Sequence, residues 1–249
     1  MGTTAPVALI TGAAKRIGAA IATKLHAQGF NVIIHYGQSR LEAEALVESF
    51  NTIRPDSAVS LSADLCRVSE VQQLADKAQT VWGYIDVLVN NASSFYPTPV
   101  GEIIEDDWTS LVGSNLKGPL FLSQALAQTL SQRKGAIINM IDMHIDRPLP
   151  KHSVYLLAKS GLASLTRSLA TELAPHVRVN GIGPGAILWP DRTLSDEEKQ
   201  ALIDTIPLGA LGREQDISDT LWFLVNAPYI TGQILYVDGG RSLYSSACA

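Results

Sequence analysis

The sequence predicts a single-domain α/β fold built on a doubly wound parallel sheet of about seven strands flanked by helices. Short Val/Ile/Leu runs alternate with longer helical patterns, the first run leads into a glycine turn, and no linker or low-complexity stretch divides the 249 residues. Uninterrupted apolar runs are typical of strands buried on both faces of a parallel sheet. Repeated strand–helix–strand units favour right-handed crossovers within one sheet. We therefore expect one domain over residues 1–249.

The predicted elements alternate along the chain. Strands are predicted at residues 7–10, 31–35, 58–63, 85–92, 135–141 and 176–185. Helices are predicted at 17–28, 41–52, 68–81, 107–132 and 153–173. The segment 186–207, with Trp189 and a charged SDEEKQ run, breaks this rhythm where a strand would end. Because ligands of open α/β sheets bind at the carboxyl edge of the strands, we predict a substrate lid there, with an inert surface excursion as the alternative.

Composition excludes several classes of protein. A hydrophobic content of 46% is typical of a globular domain, and a formal charge of -5 argues against a nucleic-acid binder. The two cysteines, Cys66 and Cys248, lack metal-ligand spacing, so we expect free thiols and no metal site. Apolar runs are too short to span a bilayer, and VALI (7–10) is too short for a secretory signal. These features favour a cytoplasmic protein without a membrane partner.

The turn after the first strand, TGAAKRIG (11–18), predicts a dinucleotide site. Gly12 would let the backbone bend sharply, and Gly18 would let the following helix approach the sheet and the phosphates. The N-terminus of that helix would offer free N–H groups and a positive dipole to a pyrophosphate.

The end of the second strand bears on the choice of cofactor. An NAD enzyme usually has an acidic residue there, but this stretch reads HYGQSR and contains His35, Tyr36, Ser39 and Arg40. Ser39 and Arg40 could donate hydrogen bonds to a 2′-phosphate, which a carboxylate would repel. The missing acid therefore predicts NADPH. The alternative for Arg40 is a solvated residue at a helix start.

Polar residues after the third and fourth strands would extend this site. Asp64 could bond the adenine edge or cap the next helix with its side chain. Asn91 and Ala92 end the fourth strand, where backbone groups would face the adenosine ribose and the nicotinamide.

Tyr155 and Lys159 are the predicted proton donor and its activating cation. The two residues are four apart on a predicted helix and share one face. A free tyrosine has a pKa of about 10, which a nearby ammonium should lower. Asp142 lies thirteen residues earlier, where a simple ketone reductase would use a hydroxyl, and predicts a substrate with ring nitrogens. Asn115 could relay protons to Lys159 or act as a helix-packing amide.

The chain resembles the short-chain dehydrogenase/reductase family and, within it, the pteridine reductases of trypanosomatids and bacteria. The resemblance covers essentially the whole chain. Its motifs are TGxxxRxG with Arg16 in place of a glycine, the stretches LHAQGFNVIIHY and NNASSFYPTP, and the set Asp142, Tyr155 and Lys159. It implies a Rossmann-like fold, a homotetramer, and NADPH-dependent reduction of a C=N bond in dihydrobiopterin, dihydromonapterin or dihydrofolate.

The resemblance also implies individual roles. Phe95 would stack on the pterin, and Tyr155 or Asp142 would supply a proton to the ring nitrogen. The implied cofactor-binding residues are Gly12, Lys15, Arg16, Ile17, Gly18, His35, Tyr36, Ser39, Arg40, Asp64, Leu65, Asn91, Ala92, Ser93, Lys159, Pro184, Gly185 and Ala186. The implied substrate-binding residues are Arg16, Ser93, Phe95, Asp142, Tyr155, Leu188 and Trp189.

Two rival functions are weighed against this hypothesis. A carbonyl reductase of the same family would act on a 3-oxoacyl thioester or a sugar, and Asp142 and Phe95 argue against it. A non-catalytic NADPH-sensing module would have no need of the Tyr155–Lys159 pair.

Overall fold

The computed structural model describes residues 4–189 and 194–243. Its strands form one parallel sheet in the order β3-β2-β1-β4-β5-β6-β7. The strands are β1 (Val7–Ile10), β2 (Asn31–Tyr36), β3 (Ala58–Ser62), β4 (Val87–Asn90), β5 (Ala136–Met140), β6 (Arg178–Pro184) and β7 (Ile234–Val237). The predicted single α/β domain with a seven-stranded, doubly wound parallel sheet is thus confirmed.

Helices cover both faces of the sheet. They are α1 (Arg16–Ala27), α2 (Arg40–Ile53), α3 (Val68–Trp82), α4 (Glu105–Val112), α5 (Gly118–Arg133), α6 (Ser153–Glu172), α7 (Asp196–Ile203) and α8 (Glu214–Val225). Short 3-10 turns occupy Met143–Ile145 and Arg241–Leu243. None of the described helices is both long and apolar enough to cross a membrane.

The side chains of β1 alternate between two hydrophobic cores, one on each face of the sheet. Ala8 and Ile10 point into the cluster that contains residues of α1 and α8, whereas Val7 and Leu9 point into the cluster that contains residues of α3 and α5. All four side chains are fully buried. Successive residues of a strand face opposite sides, so an uninterrupted apolar run is what a strand with helices on both faces requires.

The predicted helix over 107–132 is wrong as one continuous helix. A π-helical turn, Gly113–Lys117, separates α4 from α5. Pro119 lacks the N–H that a continuous α-helix would use there. Gly113 also packs so closely on Cys66 that an added Cβ would lie 2.7 Å from Sγ. Such single π turns often occur at functional sites.

The segment predicted as a lid includes α7. Ser195 caps this helix by accepting a hydrogen bond from the N–H of Glu198 at 3.2 Å, and the Glu198 carboxylate accepts from the N–H of Ser195 at 2.9 Å. Residues 190–193 of the predicted lid lie outside the described residues. The strand order reverses between β1 and β4, and the crevice at their carboxyl ends is where such folds bind ligands.

Candidate active site

A large cleft of about 1390 Å³ opens at the carboxyl ends of the central strands. Pockets for one small ligand are about 300–1,000 Å³, so this cleft can hold a dinucleotide together with a second molecule. Most residues of the predicted site line it, namely Gly12, Lys15, Arg16, Ile17, Gly18, His35, Asp64, Leu65, Asn91, Ala92, Ser93, Phe95, Asp142, Tyr155, Lys159, Pro184, Gly185 and Leu188. Tyr36, Ser39, Arg40, Asn115, Ala186 and Trp189 are not in its wall.

The glycine turn at one end leaves no space for side chains. Gly12 has a φ of 60°, and a Cβ there would lie 2.8 Å from Cα of Ala92. A Cβ on Gly18 would lie 2.3 Å from the carbonyl oxygen of Gly12 and 2.6 Å from Nδ2 of Asn91. The sharp bend predicted at Gly12 and the close approach of α1 to the sheet predicted at Gly18 are therefore both present, and both glycines line the cleft.

Thr11 and Asn91 tie the glycine turn to the end of β4. Oγ1 of Thr11 accepts hydrogen bonds from the N–H groups of Asn91 and Ala92 at 2.9 and 3.0 Å. Nδ2 of Asn91 donates to the carbonyl oxygens of Thr11 and Gly12 at 2.9 and 3.0 Å. Thr11 was not among the residues predicted for the site, although its place directly before the first glycine was a usable signal.

His35 braces the same turn from β2. Its Nδ1 accepts from the N–H of Gly12 at 3.2 Å, so Nε2 carries the proton and donates to the carbonyl oxygen of Ala63 at 3.1 Å. The ring is 2% exposed, and this burial lowers the pKa of His35 to about 4, against a smaller opposing effect of the bond to Ala63. The neutral ring is thus part of the scaffold of the site.

The cations near this end are already paired with α2. Nε of Arg40 lies 2.7 Å from Oε1 of Glu44, and Nζ of Lys15 lies 2.6 Å from Oε1 of Glu42. Arg40 is highly exposed, which agrees with the alternative that it is a solvated residue at the start of a helix. Its role toward a 2′-phosphate stays a prediction.

Arg16 has a left-handed backbone. Its φ is 55°, a conformation that glycine adopts without strain and that costs an arginine about 1 kcal/mol or more. The position is the one at which the generic family motif has its middle glycine. Arg16 lines the cleft in spite of this strained backbone.

Asp64 stabilises a turn rather than the N-terminus of α3. Its Oδ1 accepts from the N–H of Cys66 at 2.9 Å, and its Oδ2 lies 3.3 Å from Nε of Arg67. The N-cap of α3 is Arg67, so the prediction that the side chain of Asp64 caps this helix is wrong. Cys66 is a free thiol. Cys248 lies outside the described residues.

Asp142, Tyr155 and Lys159 converge at the other end of the cleft. The hydroxyl of Tyr155 donates to Oδ2 of Asp142 at 2.6 Å, and Nζ of Lys159 donates to the carbonyl oxygen of Met140 at 2.7 Å. Nζ lies 5.8 Å from the centroid of the Tyr155 ring. Tyr155 and Lys159 are 4% and 2% exposed, so these charges and dipoles act in a poorly solvated environment.

The expectation that Lys159 lowers the pKa of Tyr155 is wrong for this arrangement. Burial, and then the charge and hydrogen bond of Asp142, raise the pKa of Tyr155 well above its ordinary value. Burial lowers the pKa of Lys159 to about 8, although Asp142 opposes that shift. Helical spacing placed the tyrosine and lysine on one face, but burial of the phenol, and after it the nearby Asp142, determine the direction in which the pKa of Tyr155 shifts.

Asn115 supports the loop after β4 from the π turn. Its Nδ2 donates to the carbonyl oxygens of Ser94 and Leu111 at 2.9 and 3.0 Å, and its Oδ1 accepts from the hydroxyl of Ser93 at 2.7 Å. The residue is fully buried. These contacts match the packing-amide alternative, and a proton relay from Asn115 to Lys159 stays a prediction.

Phe95 stands at the mouth of this end. Its ring stacks on His152 with centroids 4.7 Å apart and an interplanar angle of 13°, and it meets Tyr155 edge to face at 4.8 Å. Phe95 is nevertheless 54% exposed. A flat aromatic group can therefore still stack against it.

The end of β6 completes the wall. The N–H of Gly185 donates to the carbonyl oxygen of Val237 at 2.9 Å, which fixes Pro184 and Gly185 beside β7. Leu188 lines the cleft, while Trp189 is exposed outside it and Ala186 accepts from the N–H of Gly212 at 3.0 Å.

A family model described as enoyl-(acyl carrier protein) reductase matches residues 12–242. Pteridine reductase 1 of Leishmania tarentolae is 40% identical, over 96% of this chain and 97% of that protein. The 3-oxoacyl-[acyl-carrier-protein] reductase FabG of Staphylococcus aureus (strain MW2) is 38% identical, over 94% and 96%. A 3-oxoacyl-[acyl-carrier-protein] reductase of Synechocystis sp. is 34% identical, over 97% and 98%.

The chain belongs to the short-chain dehydrogenase/reductase family. It is an oxidoreductase of that family, and reductases of this type use a nicotinamide cofactor. Gly12 and Gly18 fit that cofactor, because both line the cleft and both pack too closely against the protein to admit a side chain.

Several residues that line the cleft were not predicted from the sequence. They are Gly37, Gln38, Ser62, Ala63, Cys66, Glu70, Ser94, Asp106, Thr109, Ser110, Ser114, Met140, Ile141 and Ile187. Asp106, Thr109 and Ser110 share one face of α4, and that polar spacing after a Pro-containing loop was the available signal. Among the described residues, no group of three or more His, Cys, Asp and Glu side chains could hold a metal ion.

Proposed function

We propose that the protein is an NADPH-dependent pteridine reductase that reduces a C=N bond of a dihydropterin. The observation that carries this proposal is the 2.6 Å hydrogen bond between Tyr155 and Asp142 inside the cleft. A ketone needs only one donor at its oxygen, and a hydroxyl serves beside the tyrosine. A pterin ring presents several nitrogens, so a carboxyl group next to the tyrosine supplies a second site for exchanging a proton.

The proton chemistry of the proposed reaction belongs to Tyr155 and Asp142. Reduction of a C=N bond places a hydride on carbon and a proton on the adjacent nitrogen. The raised pKa of Tyr155 keeps the phenol protonated, as a donor must be. An ionised Asp142 holds that phenol proton, whereas a protonated Asp142 would donate to Tyr155 and release the phenol proton to the substrate. In this step Tyr155 delivers the proton to the ring nitrogen, and a protonated Asp142 replaces it on the phenol oxygen.

The remaining cleft residues bind and orient in this proposal. NADPH, when bound, would supply the hydride. The residues that would hold it are those of the glycine turn and the ends of β2 and β4, with Lys159 toward the nicotinamide ribose. Phe95, exposed at the mouth, would take one face of the pterin. Ser93 and Arg16 would contact the polar edge of the ring.

A 3-oxoacyl thioester reductase is the second candidate. The 38% identity to an S. aureus FabG protein over most of both chains favours it. The carboxyl group at position 142 and the exposed ring at position 95 are the features against it.

Turnover distinguishes the two candidates. Purified protein would be mixed with NADPH and, in parallel, with dihydrobiopterin, dihydromonapterin, dihydrofolate and a 3-oxoacyl thioester, and loss of NADPH absorbance would be followed. We expect turnover with at least one pterin. Turnover with the thioester alone, from protein that binds NADPH, would overturn the proposal.

Two substitutions test the assigned roles. Tyr155→Phe should abolish turnover while NADPH affinity is retained, which also excludes a non-catalytic NADPH-sensing module. Asp142→Ser should depress pterin reduction about 100-fold, since it removes the proton-exchanging carboxyl but keeps a small polar side chain. An Asp142→Ser variant as active on pterins as wild type would remove the main support for the proposal.

The choice of NADPH over NADH is tested at Arg40. In this proposal its guanidinium leaves Glu44 for the 2′-phosphate, so Arg40→Ala should weaken NADPH about tenfold and NADH little. Equal losses for both cofactors would mean that Arg40 does not contact the 2′-phosphate.

A homotetramer and a cytoplasmic location complete the proposal. Light scattering after gel filtration tests the homotetramer.

A further inference from the structure

The carboxylate of Asp142 is divided between two tasks. Its Oδ1 accepts from the N–H of His144 at 2.8 Å and so begins the 3-10 turn Met143–Ile145. Its Oδ2 accepts from the hydroxyl of Tyr155. The orientation of this short turn therefore sets the direction in which the second oxygen points.

The turn is attached to the last strand of the sheet. Asp146 ends the turn, and its Oδ2 accepts a hydrogen bond from the hydroxyl of Tyr236 in β7. Next to it, Nη1 of Arg147 donates to the carbonyl oxygen of Arg241 at 2.9 Å. These are long-range contacts, because about ninety residues separate the partners in each pair.

The position of Tyr236 depends on a glycine. Tyr236 pairs with Gly183 of β6, and a Cβ on Gly183 would lie 2.5 Å from Cδ1 of the tyrosine ring. The ring therefore lies directly over the bare backbone of β6 and extends from β7 toward the turn that follows β5. A side chain at position 183 would displace the ring and, with it, the hydroxyl that bonds Asp146.

We propose that Tyr236 and Asp146 are positioning residues, which hold the 3-10 turn so that Oδ2 of Asp142 meets the hydroxyl of Tyr155. Neither Tyr236 nor Asp146 lines the cleft, so the pair acts through Asp142. Burial, with the bond to Asp146, raises the pKa of Tyr236, so its hydroxyl remains a donor at neutral pH. The inference rests on the role given to Asp142 in the proposed function.

Steady-state kinetics of matched variants test this pair. Wild type is first assayed on pterins and on a 3-oxoacyl thioester, and the variants are measured on whichever substrate it reduces. Tyr236→Phe and Asp146→Ala should each lower kcat about tenfold, because a displaced carboxylate no longer meets Tyr155. The Kd for NADPH should stay within about twofold, since the glycine turn is not involved. Asp146→Asn keeps an acceptor oxygen and should retain several-fold more kcat than Asp146→Ala.

Two controls separate positioning from general stability. Tyr84→Phe removes a similar bond, from its hydroxyl to the carbonyl oxygen of Ala5 at 2.9 Å, far from the cleft, and should leave kcat unchanged. The double variant Tyr236→Phe/Asp146→Ala should be no slower than the slower single variant, because both changes break the same bond. Tm is measured for every variant.

The inference fails if Tyr236→Phe and Asp146→Ala keep wild-type kcat, or if Asp146→Asn is as slow as Asp146→Ala. Losses of kcat that Tyr84→Phe shares, or that follow Tm alone, also overturn it. Wild type that reduces only the thioester would instead overturn the pterin proposal. If Tyr236→Phe does not fold, the comparison of Asp146→Ala with Asp146→Asn carries the test.

Discussion

The two ends of the cleft differ in what determines their geometry, which is backbone packing at one end and side-chain contacts at the other. At the glycine-turn end (Gly12, Gly18, His35 and Asn91), backbone atoms pack closely, and the side chains of His35 and Asn91 form hydrogen bonds within the protein. At the carboxylate end (Phe95, Asp142, Tyr155 and Lys159), the geometry depends on side chains, one of them more than half exposed.

This difference explains how relatives with different named substrates can share one scaffold. Backbone packing at the glycine-turn end tolerates few side chains, so we expect that end to differ little between relatives such as the pteridine reductase and the 3-oxoacyl-[acyl-carrier-protein] reductase that this chain resembles. A side chain at the carboxylate end can be exchanged without moving the backbone. Substitutions at the first end should therefore damage binding and folding together, and those at the second should alter chemistry alone.

The largest effect is expected from Gly18→Ala. The new Cβ would overlap the carbonyl oxygen of Gly12 at 2.3 Å, and neither backbone can move freely. Overpacking of this kind costs about 3 kcal/mol, which corresponds to about 100-fold in the Kd for NADPH if the strain appears in binding. Fluorescence titration with NADPH and urea unfolding measure the two quantities.

Gly37→Ala is the matched control for folding. Gly37 lies at the same end of the cleft, and an added Cβ there would meet no atom within 4 Å. Its free energy of unfolding should equal that of wild type. If Gly18→Ala binds NADPH and unfolds like wild type, the glycine-turn end is not as rigid as its packing indicates.

Acid should weaken the fold through His35. Its pKa is lowered to about 4 in the folded protein, so between pH 6.5 and 4 the unfolded chain binds a proton that the folded protein does not. Stability is therefore complete above pH 6.5 and falls by about 3 kcal/mol as the pH drops to 4. Urea unfolding across this range, at constant ionic strength, measures the loss.

His35→Asn removes the titrating ring and tests the assignment. The variant should be less stable at neutral pH, because the bond from Gly12 changes, but its stability should depend less on pH. His26, whose pKa burial and then Arg54 lower, would supply the remaining slope. A slope in His35→Asn equal to that of wild type would assign the acid sensitivity to other groups.

Local pattern in the sequence was sufficient for the glycine-turn end and for the fold. Apolar runs identified β1 and β5 because strands buried on both faces must be apolar throughout. Two glycines after a strand predicted a turn that the packing confirms. The strand β7 and the helices α7 and α8 were not placed, although a total of about seven strands was expected.

The carboxylate end could be predicted only in its composition. Spacing brought Tyr155 and Lys159 to one face, but the direction of the tyrosine pKa depends on burial and on the 2.6 Å contact with Asp142. The π turn at Asn115 depends on the packing of Gly113 on Cys66, which are distant in sequence. Long-range distances of this kind have no local signature.

Alkaline pH should affect the carboxylate end alone. Burial lowers the pKa of Lys159 to about 8, so its ammonium is lost as the pH rises above that value. Tyr155 does not compete in this range because its pKa is raised. We expect kcat to fall about tenfold per pH unit above pH 8 while the fold persists. A kcat that stays constant to pH 10 in folded protein would exclude Lys159 as the group responsible.

Arg16 lies in the glycine turn and lines the cleft, and its substitution should have the smallest effect on stability. Its φ of 55° is strained for arginine but not for glycine, so Arg16→Gly should raise the free energy of unfolding by about 1 kcal/mol. Arg16→Ala is the matched control, because it removes the same side chain but keeps a Cβ in the left-handed region. Urea unfolding of the two variants at pH 7 measures the difference.

If the side chain of Arg16 binds the substrate although its backbone is strained, both variants should lose pterin affinity equally. Only Arg16→Gly should become more stable. KM for the pterin therefore reports on the side chain of Arg16, whereas the free energy of unfolding reports on its backbone. Equal stability of Arg16→Gly and Arg16→Ala would show that the backbone there is not strained. Unchanged KM in both would assign Arg16 to the scaffold of the glycine-turn end.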